Sequence, residues 1–220
     1  MITPDIDEAL RYLGAGGEAA EELRRQTRAV AEKLAAAVQP RSLYRVFPLE
    51  REGDRLLLAG TNLALTGNTA RKMLATCDQA VLLACTLGTR FDALLRTEQA
   101  RDMARAVILD ACGSALVERG CDGVEEEIRA RFPGRCLTDR FSPGYGDLPL
   151  ALQPALCAAL DAPRRLGLHV TESLLMNPGK SVTAVIGLSD RPQMARVRGC
   201  AYCSMNQTCT LRKGGKSCAL

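Results

Sequence analysis

The sequence predicts an α+β fold: a single domain in which a mixed or antiparallel twisted sheet is flanked by helices, followed by a Cys-rich C-terminal tail. Hydrophobic residues make up 47% of the 220 residues, which is enough for a sizeable core. Strand-like and helix-like segments are mixed without strict βαβ alternation, which argues against a doubly wound parallel sheet. All acidic residues precede residue 191, so the end of the chain differs in composition from the body.

Helices are predicted where apolar residues recur every three to four positions. The clearest case is residues 18–38, in which Leu23, Val30 and Leu34 follow this spacing and Pro40 stops the helix. The other predicted helices are residues 5–13, 68–77, 88–131 with one break near Thr97, and 150–160.

Strands are predicted from short runs rich in apolar and β-branched residues. Residues 41–49 and 55–59 flank the turn at Glu52-Gly53-Asp54, which favours a hairpin. Residues 80–86 are nearly all apolar and too few for a helix, which is typical of a buried strand. Two further strands are predicted at residues 136–139 and 182–188.

The tail, residues 191–220, is basic and rich in cysteine. It carries six basic side chains and no acidic one, so the net charge of +4 arises in this segment. Such a local excess favours an anionic partner or ligand. Four of the ten cysteines, Cys200, Cys203, Cys209 and Cys218, lie here with the spacing C-x2-C-x5-C-x8-C. The other six are scattered, and most are expected to pack as small hydrophobic residues.

The four tail cysteines are predicted to bind one metal centre. Cys200 and Cys203 can place two thiolates on one ion, and Gly214-Gly215 allows the chain to fold back with the others. The basic side chains nearby would lower the pKa values of these thiols. Zinc and an iron–sulfur cluster both remain open, because the spacing follows neither the usual zinc-ribbon nor the usual ferredoxin pattern. The alternative is a reduced tail with free thiols.

The sequence predicts a cytoplasmic protein. No apolar run reaches about 18 residues, so no membrane-spanning helix is expected. The first residues lack the basic and apolar regions of a signal peptide. In the cytoplasm, stable disulfides between the tail cysteines are not expected.

Two features that suggest familiar chemistry have simpler interpretations. Residues 177–181 contain the Gly-Lys-Ser of a phosphate-binding loop, but Leu174 stands where the full pattern needs glycine. A strand is predicted to follow, whereas such a loop opens a helix, so we favour a turn before a strand. His169 is the only histidine, so the sequence offers neither a His-rich metal site nor a histidine relay.

The stretch Arg140-Phe141-Ser142-Pro143-Gly144-Tyr145 is the most informative in the chain. Pro143 fixes φ and Gly144 permits a positive φ, so the backbone is expected to turn sharply. A ligand can approach Gly144 closely because no Cβ intervenes. Arg140 can hold a carboxylate through two parallel hydrogen bonds. These residues suit a zwitterionic ligand, and a simple Pro-Gly turn is the alternative.

The stretch resembles the S-adenosylmethionine-binding motif Arg-x-Ser/Ala-Pro-Gly-Tyr of the activation domain of cobalamin-dependent methionine synthase. A second stretch resembles another part of the same domain: Glu172-Ser173-x-x-Met176-x-Pro178-Gly179-x-Ser181-Val182. The similarity covers about residues 60–190, and the long Asp102–Arg131 helix, the Thr86-Leu87-Gly88 turn and the order of elements also resemble the short stand-alone relatives. It implies an S-adenosylmethionine-binding activation-type domain over residues 1–190, with the tail as an addition. The fused domain continues after its Tyr with Pro and then Pro-Asp-His, whereas this chain continues with residues 146–149, Gly-Asp-Leu-Pro.

The resemblance implies a methyltransferase component that is active only with a corrinoid partner. In the family, an inactive cob(II)alamin enzyme takes one electron from an acidic reductase such as flavodoxin and a methyl group from S-adenosylmethionine. The cofactors supply the chemistry and the domain supplies positioning, so no catalytic side chain is implied.

The resemblance also implies roles for individual residues. Arg140 would hold the methionyl carboxylate, while Ser142, Gly144 and Tyr145 would present backbone and ring to the ligand. An acidic residue in the N-terminal part would hold the ligand amine, and Asp5, Asp7 and Asp54 are the candidates.

Two alternative functions come from other classes. The tail cysteines favour a metal-cluster electron-transfer or maturation factor for a corrinoid protein. The basic tail favours a nucleic-acid-binding regulator with a terminal zinc knuckle, although Tyr202 is the only aromatic residue there that could stack on a base.

Overall fold

The computed structural model describes residues 1–15, 20–192 and 207–208. Within them the chain forms seven α-helices and one short 3-10 helix. The helices are α1 (Ile6–Tyr12), α2 (Glu21–Ala37), α3 (Asn68–Met73), α4 (Gly88–Arg101), α5 (Met103–Arg131), the 3-10 helix Leu150–Leu152, α6 (Gln153–Leu160) and α7 (Ala162–Leu166). None of these helices is both long enough and apolar enough to cross a bilayer.

The described residues also form two sheets. The strands are β1 (Arg41–Glu52), β2 (Arg55–Leu58), β3 (Ala64–Leu65), β4 (Gln79–Thr86), β5 (Cys136–Leu137), β6 (His169–Val170), β7 (Met176–Asn177) and β8 (Ser181–Ser189). The larger sheet has the order β3-β2-β1-β4-β8-β5, and β6 pairs with β7 in a separate two-stranded sheet.

The predicted α+β class is confirmed, and the larger sheet is antiparallel wherever its register is defined. β1 pairs antiparallel with β2, β2 with β3, and β5 with β8. β4 and β8 also run in opposite directions. The amide of Asp78 donates to the carbonyl of Leu188, and that of Leu87 donates to the carbonyl of Lys180. A doubly wound parallel sheet is therefore excluded.

The described chain divides into two compact units built from interleaved segments. Unit 1 comprises residues 1–43, 84–127 and 161–182. Unit 2 comprises residues 44–83, 128–160 and, as far as the chain is described, those from 183 onward. The expected boundary at residue 190 stays a prediction, because most of the tail lies outside the described residues.

Strand β4 confirms the prediction of a buried strand. Residues 80–85 are fully buried, as the unbroken apolar run requires of a strand that is covered on both faces. Five of the six scattered cysteines, Cys77, Cys85, Cys112, Cys121 and Cys157, are also buried, and Cys136 is half-buried. Burial raises the pKa of Cys77 and Cys157 to about 11 and that of Cys112 to about 12, so these thiols stay protonated near neutral pH.

The predicted break near Thr97 is wrong, because the long helical region is interrupted at Asp102. Asp102 has an extended backbone, with φ −153° and ψ 101°. Its carboxylate accepts a hydrogen bond from the amide of Arg105 at 3.0 Å, as the residue capping the start of a helix does. Thr97 instead stays inside α4, where its hydroxyl donates to the carbonyl of Ala93.

Helix α3 is shorter than the predicted helix 68–77. The guanidinium of Arg51 donates to the backbone carbonyls that follow the helix, those of Leu74, Ala75 and Cys77, at 2.7–3.1 Å. These bonds replace the ones that a longer helix would have made. Arg45 acts in the same way on α6, where it donates to the carbonyl of Ala159 at 2.7 Å.

The remaining predictions hold apart from small shifts at their ends. The hairpin predicted around Glu52-Gly53-Asp54 is confirmed, with Glu52 opposite Arg55. Helix α2 is described from Glu21, and residues 16–19 lie outside the described residues. The sequence interpretation missed α7 and the two-residue strands β3, β6 and β7, which are too short to show a period.

Candidate functional site

The motif at residues 140–145 opens a loop in unit 2, here called the 140–148 loop. Its first fixed point is Phe141, which forms an antiparallel bridge with Val185 of β8. The two residues exchange both backbone hydrogen bonds, at 3.0 and 2.8 Å. Phe141 is only 2% exposed. Because Arg140 immediately precedes Phe141, this bridge fixes the backbone next to Arg140.

The next four residues form the sharp turn that the sequence predicts. The amide of Tyr145 donates to the carbonyl of Ser142 at 3.0 Å, which closes a four-residue turn. Pro143 is its second residue, and Gly144 is its third with φ +88°. Proline followed by a residue of positive φ is the signature of a type II turn. The predicted positive φ at Gly144 is confirmed.

A second turn follows at once and closes the loop on itself. The amide of Leu148 donates to the carbonyl of Tyr145 at 3.1 Å. The amide of Gly144 donates to the carbonyl of Leu148 at 2.8 Å. Leu148 is 1% exposed and ends the loop in the core of unit 2. The backbone polar groups of the two turns are therefore paired mainly with each other.

The loop is fastened to the start of helix α3 by Asp147. Its carboxylate accepts hydrogen bonds from the amides of Asn68 at 2.6 Å and Thr69 at 2.8 Å. In return, the amide of Asp147 donates to the hydroxyl of Thr69 at 3.4 Å. Hydrogen bonds from the Thr69 side chain and from the two helix amides lower the pKa of Asp147 to about 2. The carboxylate is therefore ionised throughout the neutral range.

Two glycines allow this close approach. A Cβ on Gly146 would lie 2.4 Å from the hydroxyl oxygen of Thr69, and a Cβ on Gly67 would lie 2.7 Å from the carbonyl oxygen of Asp147. Both residues also have a positive φ, +59° and +96°. Any larger side chain at either position would push the loop and the helix apart.

The four residues expected to bind S-adenosylmethionine lie together on this loop. Gly144 is exposed, and Arg140, Ser142 and Tyr145 are half-buried. The loop thus brings together a guanidinium, two hydroxyls, an aromatic ring and a stretch of backbone that carries no side chain. This set can bind a carboxylate and contact an organic ligand, but the individual roles stay predictions.

The second motif forms a hairpin and a turn in unit 1. β6 and β7 pair His169 with Asn177 and Val170 with Met176. The Gly-Lys-Ser segment then forms a turn that enters β8, so the prediction of a turn before a strand is confirmed. The Ser181 hydroxyl donates to that of Thr86, the last residue of β4, at 2.7 Å.

Lys180 forms side-chain contacts that could not be predicted from the sequence. Its ammonium group lies 2.8 Å from a carboxylate oxygen of Asp110 and donates to the hydroxyl of Ser114 at 3.1 Å. It also lies 5.8 Å from the centre of the Phe91 ring. The side chain is 18% exposed, so Lys180 packs against α4 and α5.

The candidates for holding the ligand amine each have a partner of their own. Asp5 caps α1 by accepting from the amide of Glu8 at 3.0 Å. Asp7 pairs with Arg24 at 2.8 Å. Asp54 pairs with Arg71, a residue of α3. These contacts select none of the three, so the assignment stays open.

The predicted metal ligands lie outside the described residues. They are Cys200, Cys203, Cys209 and Cys218. Within the described part of the chain, no group of three or more His, Cys, Asp or Glu side chains is placed to hold a metal ion. The tail prediction is therefore untested.

Replacing Gly146 with alanine tests how tightly the loop is fastened. We expect Gly146→Ala to destabilise the protein more than Gly53→Ala does. Both glycines have a similar φ, +59° and +55°, so each substitution carries the left-handed strain of about 1–2 kcal/mol. Gly53 has open space around it, whereas the new Cβ at position 146 meets Thr69. The added overlap should cost about 1–3 kcal/mol.

Urea unfolding of the two variants and the unchanged protein measures the difference. Equal free energies of unfolding for the two variants would show that the loop is not held against α3.

Comparison with known proteins shows similarity in structure and none in sequence. The chain matches no known family pattern and no curated protein sequence. Its structure is similar to the crystal structure of the MetH reactivation domain bound to AdoHcy, with a TM-score of 0.63. The similarity covers 90% of this chain and 73% of that one, at 20% sequence identity. At that identity the similarity shows a common fold. The chain therefore has the fold of that reactivation domain.

Proposed function

We propose that this protein binds S-adenosylmethionine on the 140–148 loop and supports the reductive methylation of a corrinoid protein, in the manner of the methionine synthase activation family. The observation that supports the proposal most directly is that the motif residues lie together on this loop. The motif residues Arg140, Ser142, Gly144 and Tyr145 lie on one loop whose backbone is fastened at Phe141 and Asp147. The fold shared with a reactivation domain bound to AdoHcy supports the same proposal.

The residues of the loop fit a ligand with an amino-acid end. The guanidinium of Arg140 would take the carboxylate by two parallel hydrogen bonds. Gly144 is exposed, so ligand atoms can approach its backbone from the solvent side, while the position of its missing Cβ lies 3.3 Å from the Leu150 side chain. Tyr145 would contact the ligand with its ring. S-adenosylmethionine supplies the methyl group, and the protein's contribution is to hold the donor in line with its acceptor.

The acceptor and the electron donor must come from other proteins in this proposal. We assign the acceptor to a cobalamin-dependent methionine synthase or related corrinoid protein, and the electron to a reductase such as flavodoxin. We place the reaction in the cytoplasm, where thiols such as the five buried ones here stay reduced. The protein is then a methyltransferase component, with its partner completing the enzyme.

Substitution of Arg140 tests the ligand site. Arg140→Ala should weaken S-adenosylmethionine binding by about 2–4 kcal/mol, because a charged hydrogen-bond partner of the carboxylate is removed. Arg140→Lys should also weaken it, because an ammonium group cannot form the planar double contact. Calorimetric titration of the three proteins measures both effects. Equal affinities would remove Arg140 from the site.

Assay of the isolated chain tests the need for a partner. We expect no methionine from homocysteine and S-adenosylmethionine with this protein alone, and methylation of a corrinoid protein once that protein and a reductant are added. Product formation is followed by mass spectrometry, with a reaction lacking this chain as the control. Methionine formed by the isolated chain would refute the proposal.

We further propose that the tail cysteines bind one metal centre. The tail carries six basic side chains and no acidic one, and this charge would offset that of four thiolates. Zinc would make the centre a structural clip, and an iron–sulfur cluster would suit a protein whose partner needs electrons.

Elemental analysis after anaerobic purification tests the tail. We expect about one zinc ion, or one iron–sulfur cluster with its visible absorption, per chain. The Cys200→Ser and Cys203→Ser double variant should lose the metal, whereas Cys136→Ser, at a half-buried position in the body of the protein, should keep it. The metal prediction fails if the unchanged protein holds less than about a tenth of an equivalent and four tail thiols are titratable.

A further inference from the structure

We propose that Asp147 is a positioning residue for ligand binding: by fastening the 140–148 loop to the start of α3, it holds Arg140, Gly144 and Tyr145 in the conformation that binds. The inference rests on the proposed function of that loop. It adds a residue outside the motif, whose own side chain does not contact the ligand.

The first support is the geometry of the contact. Both oxygens of the Asp147 carboxylate are used, one by the amide of Asn68 at 2.6 Å and the other by that of Thr69 at 2.8 Å. The two amides belong to the first turn of α3, whose donors have no partner within the helix. The residue preceding the helix, Gly67, has no side chain to cap it. Asp147 therefore caps the helix from a position 79 residues away in the sequence.

The second support is that both surfaces are shaped for this contact. Gly146 and Gly67 leave room that no other residue would leave, with their absent Cβ atoms 2.4 and 2.7 Å from atoms of the opposite segment. The hydroxyl of Thr69 accepts a hydrogen bond from the amide of Asp147, so the bonding runs in both directions. Two glycines, a carboxylate and a hydroxyl must all be present for this contact to form, so a change at any of them should weaken it.

The third support is the position of the contact along the chain. Gly146 directly follows Tyr145, so the fastened residues are the immediate continuation of the motif. The turn that contains Gly144 closes onto Leu148, which directly follows Asp147, through a hydrogen bond of 2.8 Å. Without the carboxylate, the loop would lose its two hydrogen bonds to the amides of α3 and would depend more on the fixed points on either side, such as the bridge at Phe141 and the buried Leu148. The turn between them would then sample other conformations, and binding would have to select the correct one.

Substitution of Asp147 separates this role from a general effect on stability. We expect Asp147→Ala to weaken S-adenosylmethionine binding about tenfold, the factor that follows if the competent conformation falls to about a tenth of the population. Asp147→Asn keeps one acceptor oxygen and should lose only about threefold. Affinities are measured by calorimetric titration with S-adenosylmethionine and S-adenosylhomocysteine.

Asp102→Ala is the matched control. Asp102 is also an exposed carboxylate that accepts an amide hydrogen bond at the start of a helix, here from Arg105 of α5 in unit 1. Its removal should lower stability in the same way and leave the ligand affinity unchanged. An affinity that falls equally in Asp102→Ala and Asp147→Ala would show a global effect and overturn the inference, as would an unchanged affinity in Asp147→Ala.

Hydrogen exchange provides a readout that does not depend on the ligand. In Asp147→Ala, the amides of Gly144, Tyr145 and Leu148 should exchange faster than in the unchanged protein, whereas in Asp102→Ala they should not. If the unchanged protein binds neither S-adenosylmethionine nor S-adenosylhomocysteine, the proposed function fails. The exchange rates then decide separately whether Asp147 holds the loop: faster exchange supports this, and unchanged exchange refutes it.

Discussion

One electrostatic contact, the Asp147 carboxylate against the first amides of α3, fastens the 140–148 loop to that helix. A helix start offers amides without partners and a partial positive charge, so a carboxylate there is favoured twice, by hydrogen bonding and by the dipole. Hydrogen bonds from the Thr69 side chain and from the amides of Thr69 and Asn68 lower the pKa of Asp147 to about 2, because they favour the ionised form. The nine residues of the loop include two glycines and one proline, and they belong to no helix or strand that would define their conformation. The contact holds this segment of the loop against α3.

Helix α3 can serve as the anchor because its other end is also held. Arg51 donates to three carbonyls beyond its last turn, so a carboxylate fastens one end of the helix and a guanidinium the other. Each charge is complementary to the dipole at its end. A helix of six residues would not be stable alone. Asp147 and Arg51, both distant in sequence, supply hydrogen-bond partners for the backbone groups at its two ends. Arg45 plays the same part for α6, so β1 contributes two such arginines.

The features predicted correctly from the sequence are those that depend on neighbouring residues. The apolar run at 80–86 gave the buried strand, Glu52-Gly53-Asp54 the hairpin, and Pro143-Gly144 the positive φ of the motif turn. The break at Asp102 could have been predicted, because Asp is a favoured residue at a helix start, but the break was predicted near Thr97 instead. The role of Asp147 could not be predicted in this way. Its partners lie 79 and 78 residues away, and no periodicity or spacing in one sequence indicates such a pair.

Gly146 and Asp147, at which this chain differs from the domain it resembles, hold the 140–148 loop against α3. The resembling domain continues after its Tyr with proline, which fixes φ near −65° and removes an amide donor. Here Gly146 follows instead, with φ +59°, and Asp147 uses its own amide as well as its carboxylate. A proline at position 146 could not adopt that φ, so this loop requires glycine or another residue that tolerates a positive φ there. The departure at Gly146 and Asp147 is, in this structure, the means by which the 140–148 loop is held against α3.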